Sequence, residues 1–199
     1  ERKGQTQKAA LLYASYMDRH PQSLAMPYHL KRLERGDPPL ATVLTPASGL
    51  AEAYLDIATL LSQENAVDPS LLLARYSLSL RPGDDITRLL VGEVMEIQGR
   101  FDAAVSVYSS IPDTSPHSWN AKLRIASSLE QIGQADKAVD LLKNMVNERD
   151  SRPDALIQLG DILRIQQDFA GAASAYDKAI ARLGGDSQVG WRLLYRRGI

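Results

Sequence analysis

Between residues 153 and 186 the apolar positions recur at the three- and four-residue steps of a helix, in two bursts separated by a polar corner. Leu156, Leu159 and Leu163 form the stripe of the first burst. Pro153 stands where a first helical position tolerates a missing N–H. Gln166 and Gln167 then lead to Asp168, a predicted N-cap. Beyond it Phe169, Ala172, Ala173, Tyr176, Ala179 and Ile180 repeat at helical spacing. Gly160 and Ala172 are small where the two helices would touch, which predicts a close antiparallel pair.

The pattern returns when the window is moved by about 34 residues, a period known for helical repeats. Residues 119–152 place Ile125, Ala126, Leu129, Gly133, Ala138 and Leu142 in the matching slots, and residues 85–118 place Val91, Gly92, Met95, Gly99, Phe101, Ala104, Tyr108 and Pro116 there. Residues 51–84 supply Tyr54, Ile57, Ala58, Leu61, Ala74 and Pro82. The small slot of the first helix reads Ala58, Gly92, Ala126, Gly160; that of the second reads Ser70, Ala104, Ala138, Ala172. On these residues the chain resembles the tetratricopeptide repeat family over roughly three quarters of its length. The resemblance implies an all-α fold, a right-handed solenoid of antiparallel helix pairs. It also implies a protein–protein interaction scaffold or adaptor within a longer bacterial protein. The alternative is an architectural module that spaces or oligomerises other domains.

The flanks depart from the repeat. Residues 4–21 fit a second helix, with Gly4 at its corner and Ala9 in the small slot, and residues 24–35 fit a degenerate helix that Gly36 ends. Residues 36–49 are the clear break, because Pro38, Pro39 and Pro46 oppose a regular helix. Their apolar Leu40, Val43 and Leu44 predict a connection that either covers the repeat surface or lies in a groove. Similar segments precede an EGLAEA-like helix start in exported bacterial members of the family; that likeness favours the periplasm and leaves the cytoplasm open. Asp68-Pro69, Ser115-Pro116 and Asp84-Asp85 are expected to mark helix starts. Residues 187–190 read as an insertion before a fifth repeat that stops at Ile199. Truncation there would expose apolar surface around Ile180 and Leu183 and favour self-association through that end.

Composition narrows the chemistry. With 199 residues, 44% of them hydrophobic, the chain can bury a long core. A net charge of −1 gives no electrostatic reason to expect nucleic acid. No apolar run reaches the roughly 18 residues of a membrane span. Without cysteine there is neither a disulfide framework nor a thiolate metal site. His20, His29 and His117 fall in different repeats, and no zinc-protease, P-loop or nucleophile-elbow motif appears. No enzyme activity, cofactor or metal is therefore expected of these residues.

What remains is a binding surface. In the family that the chain resembles, the first helix of each pair lines the concave face. Carried over residue by residue, the groove positions of the first full repeat include Leu55 and Thr59. The second offers Leu89, Glu93 and Glu96; the third Leu123, Ser127 and Glu130; the fourth Ile157, Asp161 and Arg164; the partial fifth Tyr195. One slot is apolar each time, from Leu55 through Leu89, Leu123 and Ile157 to Tyr195. Acids outnumber bases beside that row, so the expected ligand is an extended peptide or partner helix, apolar with some basic character. A clamp for a C-terminal carboxylate would need Lys and Asn in these slots and is disfavoured.

Overall fold

A computed structural model describes residues 4–19, 25–38, 45–148, 152–185 and 191–198. Leu40, Val43 and Leu44, and the expected insertion at 187–190, lie outside them. The described residues form eleven helices and no strand. These are α1 (Thr6–Arg19), α2 (Ala25–Glu34), α3 (Pro46–Gln63), α4 (Val67–Leu80), α5 (Asp85–Ile97), α6 (Phe101–Ser109), α7 (Ser118–Gln131), α8 (Ala135–Glu148), α9 (Asp154–Ile165), α10 (Phe169–Arg182) and α11 (Trp191–Gly198). Two compact units emerge: one of residues 1–94 with 111–120, the other of 95–110 with 121–199.

The repeat period is written into the corners. Asn65, Gly99, Gly133 and Gln167, each 34 residues after the last, all adopt positive φ (57°, 71°, 74° and 65°). At each corner the next residue's N–H reaches back five positions: Ala66 to Leu61 O (2.8 Å), Arg100 to Met95 O (2.9 Å), Gln134 to Leu129 O (2.8 Å) and Asp168 to Leu163 O (2.9 Å). This is the helix end in which one left-handed residue satisfies two orphan carbonyls. Glycine fills two of the four corners. Asn tolerates the conformation through its short polar side chain, and Gln167 has no such relief.

Helix starts were legible in part. Asp84 caps α5, its side chain accepting from the Thr87 N–H (3.0 Å), and Asp168 caps α10 by accepting from the Gly171 N–H (2.9 Å). Others shift. Pro46 opens α3 rather than opposing a helix: it sits at the first position, inside a reciprocal capping box formed by Thr45 and Ser48. Residues 46–49 therefore belong to α3. Asp68 lies in the first turn of α4, whose cap is Ala66. Ser115 instead shapes a turn, its hydroxyl accepting from the His117 N–H (3.1 Å), and α7 begins only at Ser118.

In the first unit, α3 and α4 pack through very small residues. Ala51, Ala58 and Ala74 are fully buried. The buried Ser70 and Ser77 hydroxyls donate to Ala58 O (2.7 Å) and Ala51 O (2.8 Å) on the facing helix. These bonds satisfy both buried serine hydroxyls. In the second unit, α9 and α10 meet through Gly160 and the ring of Tyr176. A Cβ on Gly160 would stand 2.5 Å from that ring. The small residue thus makes room for an aromatic ring rather than for a close backbone. At the chain's end α10 packs against α11, so Ile180 is buried and not exposed as expected. The exposed apolar residues there are Trp191 (70%) and Tyr195 (64%).

Candidate interaction faces

The row expected to line a groove is graded rather than uniformly open. In the first unit, Leu55 is buried and Leu89 half-buried. Thr59 turns its hydroxyl back onto Leu55 O (2.8 Å), and Glu93 is partly buried. In the second, Leu123 and Ile157 are half-buried, as Leu89 is, and Tyr195 is largely open. The core stripe of the same helix behaves differently: Leu156, one residue before Ile157, is 1% exposed.

Beside this row runs a set of polar bonds that sequence reading missed. They join successive first helices from α5 to α11. Glu96 on α5 accepts from Arg124 (3.1 Å) and from the Ser128 hydroxyl (2.8 Å) on α7. Gln158 on α9 donates to Leu123 O (2.9 Å) and to the Ser127 hydroxyl (2.8 Å) on α7. Asp161 on α9 accepts from Arg196 on α11 (2.9 Å) and from the Tyr176 hydroxyl (2.8 Å). Glu96, Ser127 and Asp161, read as ligand-facing, are thus engaged within the array. The excess of acids that suggested a basic ligand is largely balanced internally. Glu130 accepts from its neighbour Gln131 (2.7 Å). Arg164 faces the Tyr176 hydroxyl and opposes the rise in its pKa. Burial first, then the hydrogen bond to Asp161, pushes that phenol up to about 12.

The other side of α9 borders a groove of about 410 Å³ between α8 and α10. Leu156, Leu159 and Leu163 form its floor, Lys143 and Lys178 its two rims. Nothing in the one-dimensional pattern marks it, since its shape depends on the gap between successive second helices.

No cluster of metal-ligand side chains occurs among the described residues, and none of their helices is long and apolar enough to cross a membrane. In the first unit His29 and His117 come close enough to interact, although they belong to different repeats. Burial lowers the His117 pKa against the pull of Asp85 and Asp84.

Comparison with known proteins agrees with this geometry. Residues 123–187 match the sequence model of the Tetratricopeptide repeat family. No curated protein matches the chain. Among solved structures, the MamA protein is similar at 20% identity and a TM-score of 0.61, over 75% of this chain and 79% of its own. YrrB, described as a TPR protein with an unusual peptide-binding site, is 17% identical with a TM-score of 0.53, over 73% of each chain. The Cut9–Hcn1 hetero-tetramer of the APC/C gives 16% identity and a TM-score of 0.57, over 92% of this chain and 30% of the other. At these identities the likeness establishes the fold, an all-α helical solenoid.

Proposed function

We propose that this chain, whose residues 123–187 are tetratricopeptide repeats and whose helix pairs share that fold, is a protein–protein interaction scaffold that holds an extended apolar segment. The segment lies along the first helices α7, α9 and α11 of the second unit. One observation carries the reading: Leu123 and Ile157 keep part of their surface, and Tyr195 most of its surface, in solvent while the polar bonds beside them hold successive first helices in register. A row of apolar side chains at one-repeat spacing suits a ligand whose side chains recur along an extended backbone. Such contacts are usually dominated by a few anchors.

The experiment is selection of binding peptides against the chain, followed by titration with Leu123→Asp and Ile157→Asp. Loss of about tenfold or more in affinity, with unchanged helix content, supports the reading. Retained affinity in both variants removes it. The architectural alternative has its own observation: Leu50, Ile57, Leu60, Leu72 and Tyr76 on α3 and α4 are each about half exposed. Light scattering at rising concentration separates the two, since a spacer that associates through this face would dimerise without peptide.

A further inference from the structure

We infer that the groove between α8 and α10 is a second docking surface, and that its occupant is an acidic amphipathic segment of a partner protein. The inference does not depend on the reading of the first-helix face. It uses the opposite side of α9 and calls for a ligand of different charge.

Three observations converge on that occupant. The floor is apolar and comes from a single stripe, Leu156, Leu159 and Leu163, at helical spacing. Leu156 and Leu159 are already buried, so the accessible anchor point is Leu163, which is partly exposed. A volume of about 410 Å³ accommodates a few side chains and falls in the range of ordinary ligand sites.

The rims carry the charge. Lys143 on α8 and Lys178 on α10 are both exposed, and neither has an ion-pair or hydrogen-bond partner among the described residues. The one acid that borders the groove, Asp168, is turned to the start of α10, which it caps through the Gly171 N–H. The groove therefore carries two lysines against one carboxylate, a net positive charge around an apolar floor. A ligand that matches it places apolar side chains at one face and Asp or Glu on both flanks. Such a pattern, apolar anchors at three- and four-residue steps with acids beside them, is that of a short helix laid into a groove. Rim charges of this kind mainly set the rate of encounter and the choice of partner.

The test is a displayed library of random 15-residue peptides panned against the full chain and against Lys143→Glu/Lys178→Glu. Both lysines are on the surface, and circular dichroism verifies that the variant is folded. The expected result is a pool rich in Leu, Phe or Met flanked by acids. Its recovery should fall about tenfold on the charge-reversed variant and with rising salt. Ile157→Asp should leave this pool unchanged, which separates it from any pool held by the first-helix face. Failure to enrich acidic peptides, equal recovery on the reversed variant, or loss of the pool with Ile157→Asp would each overturn the inference.

Discussion

The pairs α3–α4 and α9–α10 hold the same slots of the repeat and fill them in opposite ways. In α3–α4 the two facing slots are Ala58 and Ala74, both fully buried, and serine hydroxyls tie the helices together. In α9–α10 the slots are Gly160 and Tyr176, and the ring occupies the room that the glycine leaves. In the sequence the same two slots hold Gly92 with Tyr108 and Ala126 with Leu142. In α9–α10 a ring in the second slot needs a residue without a side chain in the first, because interiors are packed at crystalline density. The difference extends to the outside. The alanine pair leaves an apolar stripe exposed, from Leu50 to Tyr76. In the tyrosine pair, Tyr176 hydrogen-bonds to Asp161, which the next first helix also holds.

The largest way to break this comparison is to change one slot alone. Gly160→Ala forces a methyl into the Tyr176 ring and should cost about 1 to 3 kcal/mol, the usual range for overpacking. Adding Tyr176→Leu recreates the Ala126–Leu142 combination and should return much of the loss. Thermal melts of the two single variants and the double give the coupling; simple additivity would mean that the slots are independent.

A smaller effect is expected at the corners. Gln167 holds a left-handed conformation at φ 65° without glycine's freedom. Gln167→Gly should therefore stabilise the second unit by about 1 kcal/mol, while Gly133→Ala should destabilise it by a similar amount. Denaturant midpoints measure both. Equal midpoints for all three proteins would show that the corners carry no strain.

The effects of pH lie away from neutrality, and they differ in direction between the units. Tyr176 has a folded pKa raised above its ordinary value of 10. The stability it contributes is complete below pH 10 and is lost as pH rises toward about 12. His117 has a folded pKa lowered from 6.5. Its contribution is present above pH 6.5 and is lost as pH falls through the folded value. Tyrosine absorbance and histidine proton resonances, followed against pH, test each in turn. Ionisation of Tyr176 near pH 10, or of His117 at 6.5, would remove the corresponding effect.

The sequence disclosed the repeat because its main signals are local. Apolar spacing, the glycines of two corners and the caps Asp84 and Asp168 all act within a few residues. Pro46 was misjudged because a proline ends one helix or begins another according to what precedes it, and the Thr45–Ser48 capping box decides for a beginning. The polar bonds between first helices were not legible as pairs. Glu96 and Ser128, Gln158 and Ser127, Asp161 and Arg196 lie about one repeat apart, so Glu96, Ser127 and Asp161 looked like independent groove residues and their partners drew no reading. A search for complementary polar residues at that separation would have found them. The groove between α8 and α10 has no such signature, because it arises from the gap between helices and not from any one of them.

The claim at the centre of this account is that α9 has one stripe for the core and another for a ligand. Two adjacent residues test it. Leu156→Asp buries an unpaired carboxylate and should unfold the second unit, because its site is 1% exposed. Ile157→Asp, one position on, should melt within about 1 kcal/mol of the parent, because its site is partly exposed and a carboxylate there can reach water. Thermal unfolding of the pair, followed by circular dichroism, is the direct measurement. A wide gap between the two melting curves is the predicted result. Equal collapse of both variants would contradict it, because the row at Leu123 and Ile157 would then be core and no face for a partner.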